Sequence, residues 1–176
     1  VVNGPESVKR FAFAPREPLL VIERSHKSFR TTPTLPQVEK TALLGVRACD
    51  LAGLAVQDRI FLHDAYPDPY YRVRRANLFL VAVNCARALP TCFCVSMNTG
   101  PKAQAGFDLA LTELEDTFLV EAGSQAGQDL MQHLPLSLAS DQPLAEAEAQ
   151  VEACTKSQTR RLETAQLPQA LYDAHE

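Results

Sequence analysis

The chain has 176 residues, 46% of them hydrophobic, and a formal net charge of −4. This length suffices for one domain that buries about two thirds of the surface its unfolded chain exposes. Both charge signs are mixed, which argues against a nucleic-acid partner, and the apolar runs are too short to span a membrane. We therefore expect residues 1–176 to form a single soluble domain.

The first third of the chain predicts two buried strands and a helix. Residues 19–23 and 42–46 are apolar runs of strand length. Residues 31–36, between them, are rich in Thr and Pro, which predicts a loop. From residue 50 to residue 62 the apolar side chains recur at helical intervals, so we expect a helix there.

A second helix, a third strand and a long loop are predicted next. Residues 69–77 begin with a proline that suits the first helical turn. This segment carries two tyrosines and three arginines, which fit either a docking surface or an amphipathic helix whose arginines face water. We favour the amphipathic helix. Residues 78–83 predict a core strand, and residues 86–104, which contain two prolines, predict a long loop.

The rest of the chain predicts a hairpin and two more helices. Residues 107–114 and 117–122 alternate apolar and polar side chains, as in a hairpin. Ser124 is expected to cap a helix. A further helix after Pro143 places Cys154 on its apolar face, as a core residue. Because strands and helices alternate, the fold class predicted is α/β, with a mixed, partly parallel sheet flanked by helices and a long Cys-bearing loop.

Four of the five cysteines are clustered in sequence, and they are Cys49, Cys85, Cys92 and Cys94. Thiolates suit iron-sulfur clusters or zinc, and four of them complete the protein ligation of either. Cys92 and Cys94 are two residues apart, so their side chains face the same side of an extended chain. Cys49 stands at the start of a predicted helix, whose dipole stabilises a thiolate.

The alternative is that these cysteines are ordinary buried thiols, because free cysteine often behaves as a small hydrophobe. The sequence has no Cys-x-x-Cys, the repeat by which ferredoxin loops and zinc ribbons are recognised. A disulfide is disfavoured, since the number of cysteines is odd and no secretory signal opens the sequence. We therefore expect a reducing, cytoplasmic environment.

A set of segments along nearly the whole chain carries a recognisable pattern. They are KRFAFAPRE (9–17), GVRACDL (45–51), DRIF (58–61), DPYYR (68–72), VNC (83–85), CFC (92–94), SMNTGP (96–101), GFDLALTEL (106–114) and FLVEAG (118–123). Together they resemble a family of iron-sulfur electron-transfer subunits. That family includes the beta subunit of cytoplasmic sulfhydrogenases and the iron-sulfur electron-transfer subunit of anaerobic sulfite reductase. The Cys-bearing segments are the most specific part of the resemblance.

The resemblance implies a non-catalytic component of an oxidoreductase complex. It would relay electrons between a partner subunit that binds flavin and NAD(P)H and a catalytic hydrogenase or sulfite reductase subunit. No dinucleotide-binding fingerprint is present, so flavin and nicotinamide are expected on the partner. In such proteins this region precedes a ferredoxin-like segment with two [4Fe-4S] clusters. We therefore expect residues 1–176 to be a fragment of a longer chain that lacks this C-terminal dicluster domain.

The same resemblance favours a further [4Fe-4S] cluster in this domain. Its expected ligands are Cys49, Cys85, Cys92 and Cys94, with Asp50 as a substitute oxygen ligand. Two other classes of function stay open: a metal-free structural or docking domain, and an interaction domain stapled by zinc through the same four thiolates.

Five other residues are candidates for contacts with the cluster. Arg47 and Arg87 would offset its negative charge and raise its potential. The backbone amides of Asn98, Thr99 and Gly100 would donate hydrogen bonds to its sulfurs, since glycine allows a close approach of the main chain. The plainer alternatives are solvated arginines and a turn that ends the loop.

Overall fold

The structure is a computed structural model that describes residues 7–174. Within that range the chain forms six helices and six strands. In chain order they are α1 (Lys9–Ala12), β1 (Leu20–Arg24), β2 (Phe29–Pro33), β3 (Thr41–Val46), α2 (Ala48–His63), α3 (Pro69–Ala76), β4 (Leu78–Val83), β5 (Leu109–Glu113), β6 (Phe118–Ala122), α4 (Gln125–Met131), α5 (Asp141–Ser157) and α6 (Leu167–Asp173). None of these described helices has both the length and the apolar character needed to cross a bilayer.

The main sheet has four strands in the order β3-β4-β5-β6. β4 is parallel to both β3 and β5, and β6 is antiparallel to β5. Helices α2 and α3 connect β3 to β4, whereas residues 84–108 connect β4 to β5 without a helix or strand. The predicted α/β class, with a mixed and partly parallel sheet, is confirmed.

Most of the predicted elements lie where the sequence indicates them. The strand expected over residues 78–83 is β4, and the expected hairpin is β5 with β6. The helix expected from residue 50 is α2, which begins two residues earlier. The serine expected to cap a helix does so, because the Oγ of Ser124 accepts a hydrogen bond from the Gly127 amide at the start of α4.

A second, two-stranded sheet corrects two predictions. The strand expected over residues 19–23 is β1, but it is exposed along its whole length and not buried. β1 and β2 pair antiparallel, from Leu20 opposite Pro33 to Arg24 opposite Phe29. The loop expected over residues 31–36 is therefore wrong for residues 31–33, which belong to β2. The two threonines there are β-branched and fit an extended chain. The proline stands at the end of the strand, a position that a sheet tolerates.

The core lies where α2 and α3 pack on β4. Leu51 and Leu54 of α2 are buried with Tyr71 of α3 and with Leu80 and Ala82 of β4. Burying one leucine side chain is worth about 1.5–3 kcal/mol. These contacts fix the start of α2 against the sheet, and with it the residues that follow β3.

The arginines of α3 make internal ion pairs. Arg75 donates to the Asp58 carboxylate at 3.1 and 3.2 Å, and the Tyr71 hydroxyl donates to the same carboxylate at 2.6 Å. Burial, together with this hydrogen bond, raises the pKa of Tyr71. Arg74 forms two hydrogen bonds with the Glu17 carboxylate, at 2.8 and 3.1 Å. The tyrosine therefore packs as expected, but these two arginines bind carboxylates instead of facing water.

Candidate functional site

The carboxyl ends of β3 and β4 meet at one edge of the main sheet, because the two strands are parallel neighbours. Arg47 and Cys49 directly follow β3, and Cys85 follows β4. Open α/β sheets place their ligand sites outside the carboxyl ends of strands. The topology therefore brings cysteines that are far apart in sequence to the same edge.

A cavity of about 270 Å³ opens at this edge. It has room for about nine water molecules, at the ~30 Å³ that each occupies in the liquid. Its wall includes Cys49, Cys85, Cys92, Cys94, Cys154 and Arg47. The cavity thus collects every cysteine of the chain and two arginines, Arg47 and Arg87, from three parts of the fold: the start of α2, the loop of residues 84–108, and α5.

Arg47 is a buried cation at this wall, with 2% of its surface exposed. Its Nη1 donates to the Val83 carbonyl at 3.0 Å and reaches the Cys85 Sγ at 4.0 Å. Its Nη2 is buried without a hydrogen-bond partner. Among the described residues, no carboxylate forms an ion pair with Arg47. A buried charge without a partner is costly, so the cavity favours an anionic occupant.

A buried asparagine fixes the loop of residues 84–108. The Asn84 Nδ2 donates to the Thr112 Oγ1 at 2.9 Å, and its Oδ1 accepts from the Ala103 amide at 2.8 Å. The Cys85 amide donates to the Pro101 carbonyl at 3.3 Å. Both ends of the loop are therefore tied together beside the sheet, and the cysteines between them are held at the cavity.

The middle of this loop positions Cys92 and Cys94. The Cys92 Sγ accepts from the Leu89 amide at 3.3 Å. The Cys94 carbonyl accepts from the Thr99 amide at 2.9 Å, which closes a turn. Gly100 lies directly behind the sulfur, because a Cβ added there would stand 3.1 Å from the Cys94 Sγ. A larger residue at this position would crowd the Cys94 side chain and the Ala48 Cβ.

Helix α5 and the residue after it form part of the cavity wall, and this position could not be predicted from the sequence. Gln158, at its C-terminal end, is 3% exposed. Its Nε2 donates to the Cys94 Sγ at 3.1 Å, and its Oε1 accepts from the Val95 amide at 3.3 Å. Cys154 lies one turn earlier and is 1% exposed, which confirms its expected burial. The spacing of four residues indicates a shared helix face, but no pattern in the sequence shows which loop that face meets.

Two of the cavity thiols, Cys85 and Cys154, have a pKa above the ordinary value of a thiol. Burial raises the pKa of Cys85, although Arg47 lowers it in part. Burial also raises the pKa of Cys154 to about 11, and the nearby Cys85, Cys94 and Cys92 add to this. Neither Cys85 nor Cys154 therefore supplies a thiolate to balance the arginine. Binding of a metal at such thiols must release their protons.

The remaining candidates from the sequence lie in different places. Asp50 is in the first turn of α2 and is not part of the cavity wall. Arg87 and Thr99 line the cavity, the arginine with an exposed side chain. The amides of Asn98 and Thr99 donate to carbonyls of the loop itself, at 3.3 and 2.9 Å. Gly100 is in contact with the cysteine-bearing turn. The amides of Asn98 and Thr99 are therefore already hydrogen-bonded within the loop.

The chemistry of the donor set, thiols beside a cation, suits an iron-sulfur cluster. Within residues 7–174, no three Cys, His, Asp or Glu side chains are grouped closely enough to hold one metal ion. Zinc binds four thiolates at about 2.3 Å and so needs them to converge on one point. A [4Fe-4S] cluster spreads four thiolates over the irons of a larger body. Thiols that line a cavity, beside a buried arginine without a counter-ion, have the chemistry needed to hold such a cluster.

Comparison with known proteins gives the family. The chain is 35% identical over 128 residues to sulfhydrogenase 2 subunit beta of Pyrococcus furiosus. This places the chain in the sulfhydrogenase beta-subunit family. The match covers 70% of this chain, and the chain spans about a third (34%) of that relative's length. No protein-family model and no solved structure matches this member of the beta-subunit family.

Proposed function

We propose that this chain is an electron-transfer part of an oxidoreductase complex and holds one [4Fe-4S] cluster in the thiol cavity. The observation that carries the proposal is the meeting of five thiols and a buried guanidinium, whose Nη2 has no partner, around one cavity. Soft donors next to an unbalanced positive charge call for an anionic group with thiolate ligands. The relative's identity as a sulfhydrogenase beta subunit supports the oxidoreductase context.

Four cysteines are assigned as ligands in this proposal: Cys49, Cys85, Cys92 and Cys94. When bound, such a cluster supplies one-electron oxidation and reduction. Arg47 balances the negative charge of the thiolates, and its Nη2 has a free donor for a sulfur in the cavity. Asp50 is left out of the ligand set, because it does not line the cavity. Cys49 is exposed and the other three assigned thiols are half-buried.

The proposed path of the electrons leads from a flavin- and NAD(P)H-binding partner subunit to a catalytic hydrogenase or sulfite reductase subunit in the cytoplasm. The resemblance of the Cys-bearing segments to electron-transfer subunits supports this path. The same resemblance supports two further [4Fe-4S] clusters in a ferredoxin-like segment of the complete subunit. Each electron accepted from the flavin partner is passed on singly, so that oxidation on one side balances reduction on the other.

The test is the iron, acid-labile sulfide and zinc content of protein purified without oxygen. We expect about four irons and four sulfides per chain, with a broad absorption near 400 nm that bleaches with dithionite. Alanine substitution at any one of the four assigned cysteines should lower the iron content. If Cys154→Ala removes the iron instead, the cluster stands but the ligand set is wrong.

Two outcomes would overturn the proposal. Folded protein that takes up neither iron nor sulfide, even after anaerobic reconstitution, would make this a structural or docking domain. Equimolar zinc without iron would make it a zinc-stapled interaction domain. Thermal unfolding of each preparation shows whether the protein was folded when its metal content was measured.

A further inference from the structure

We propose that Gln158 is a positioning residue for Cys94: it fixes the cysteine-bearing turn on α5 and donates a hydrogen bond that raises the potential of a cluster bound there. The second half of this role rests on the proposed function. Gln158 is distant in sequence from the four assigned ligands and belongs to none of the segments that carry the family resemblance. Only the fold brings its side chain to the site.

The hydrogen bonds determine which way the Gln158 amide points. The Val95 N–H, 3.3 Å away, is a donor, so it must face the carbonyl oxygen Oε1. This leaves the amide nitrogen toward the Cys94 Sγ, at 3.1 Å. A thiol can also donate to Oε1, at 3.6 Å. A thiolate ligand has no proton to donate, so only the N–H···S bond remains once Cys94 binds a metal.

The Gln158 side chain is held firmly enough to position its partner. It is 3% exposed, and its backbone amide donates to the Thr155 carbonyl at 3.4 Å. After the helix, the Leu162 amide donates to the Ser96 Oγ at 3.0 Å, in the same turn as Cys94. The chain that follows α5 is therefore joined to the same turn that Gln158 contacts.

An N–H donor at a ligand sulfur has a predictable effect. Reduction adds negative charge to the cluster and its thiolates, and a donor stabilises that charge. Hydrogen bonds to the sulfurs are among the factors that set the reduction potential. Removing the Gln158 donor should therefore lower the potential. A carboxylate in its place should lower it further, because it loses the donor and adds a negative charge.

The first readout is the midpoint potential of protein reconstituted without oxygen. Gln158→Met keeps the length of the side chain without a donor, and Gln158→Glu keeps the oxygen that faces Val95. Gln150→Met and Gln150→Glu are matched controls on the same helix, about 12 Å further along its axis. We expect the potentials to fall in the order wild type, Gln158→Met, Gln158→Glu, with both Gln150 variants close to wild type. A merely structural role would not produce this order.

The second readout needs no metal. Hydrogen exchange of the Val95 amide should become faster in Gln158→Met than in wild type or Gln150→Met, since Oε1 is its acceptor. Unchanged exchange at Val95, or equal potentials in Gln158→Met and Gln150→Met, would overturn the proposal. If wild-type protein binds no iron, the proposed function and the tuning role fail. Faster Val95 exchange in Gln158→Met would then still establish Gln158 as the anchor of the turn.

Discussion

Replacing Arg47 by methionine should have opposite effects on the metal-free protein and on protein that holds the proposed cluster. Without a cluster, Arg47 is a buried cation that uses one nitrogen for the Val83 carbonyl and leaves Nη2 without a partner. Methionine removes the charge and keeps most of the side-chain length. With a cluster, the same substitution removes the positive charge that balances the thiolates. The sign of the change therefore depends on whether the cavity is filled.

The magnitude follows from two opposing contributions. Losing the hydrogen bond from Nη1 to the Val83 carbonyl costs about 1.5–3 kcal/mol, as for a charged donor. Removing a buried charge without a counter-ion regains several kcal/mol, the effective penalty of burying one ion. We therefore expect Arg47→Met to raise the free energy of unfolding of the metal-free protein by about 1–3 kcal/mol. With an m-value of about 1–3 kcal/mol/M, the urea midpoint rises by about 1 M.

Urea denaturation of the metal-free and the reconstituted protein measures both signs. Arg87→Met is the matched control, because Arg87 lines the same cavity with an exposed side chain and should change stability by less than about 0.5 kcal/mol. Reconstituted Arg47→Met should hold less iron than wild type. A metal-free Arg47→Met protein that is about 2 kcal/mol less stable than wild type would refute the reasoning, because Arg47 would then stabilise the empty fold.

Two further predictions concern the scaffold and its pH dependence. A methyl group at Gly127 would overlap the Asp108 carbonyl oxygen, so Gly127→Ala should destabilise by about 3 kcal/mol. Gly53→Ala should stabilise the protein by up to about 1 kcal/mol, since its added Cβ meets only the Lys9 Cδ, at 3.8 Å. Thermal unfolding of both variants tests the contrast, and a change in stability of the same sign in both would contradict it. Burial raises the pKa of Cys154 to about 11 in the folded protein. The neutral Cys154 thiol therefore contributes about 2–3 kcal/mol to the free energy of unfolding below about pH 9, and this contribution is lost as the pH rises toward 11. Urea midpoints of metal-free Cys154→Ala should fall less than those of wild type between about pH 8 and about pH 11, and an equal fall would exclude this origin.

Strands and helices with a clear local pattern could be predicted from the sequence. β4 is a continuous apolar run and was bounded correctly, and the helix from residue 50 was displaced by only two residues, at its start. β2 was missed because its short run, Phe29–Pro33, contains a proline and exposed side chains throughout, so no burial pattern marks it as a strand. β1 was predicted from its apolar run although it is exposed along its whole length. Local composition thus gives an element where its own pattern is clear, and fails for a short mixed segment such as β2.

The candidate site could be predicted only in part. The four cysteines were identified because they are clustered in sequence and lie in segments that resemble electron-transfer subunits, and Arg47 because it is close to Cys49 in sequence and would offset the charge of a cluster. Arg47 is buried and its Nη2 has no hydrogen-bond partner, because no carboxylate lies near it in the described part of the fold. No sequence pattern shows this. Gln158 was missed for a similar reason. Its contact with Cys94 depends on how α5 packs against a loop that precedes it by many residues.

Cys154 is buried and also lines the cavity. Five thiols therefore surround the cavity, and the proposed cluster needs only four of them as ligands. Each ligand must lose its proton, and the cost grows with the pKa of the thiol. Burial raises the pKa of both Cys154 and Cys85, but Arg47 reaches the Cys85 sulfur at 4.0 Å and opposes the effect there. Three neighbouring thiols raise the pKa of each of these cysteines, and Arg47 also lowers that of Cys154. The difference is burial, because Cys154 is fully buried whereas Cys85 is half-buried. Ionising Cys154 is therefore the harder step, which favours Cys85 as the ligand and leaves Cys154 as a neutral thiol that closes the cavity.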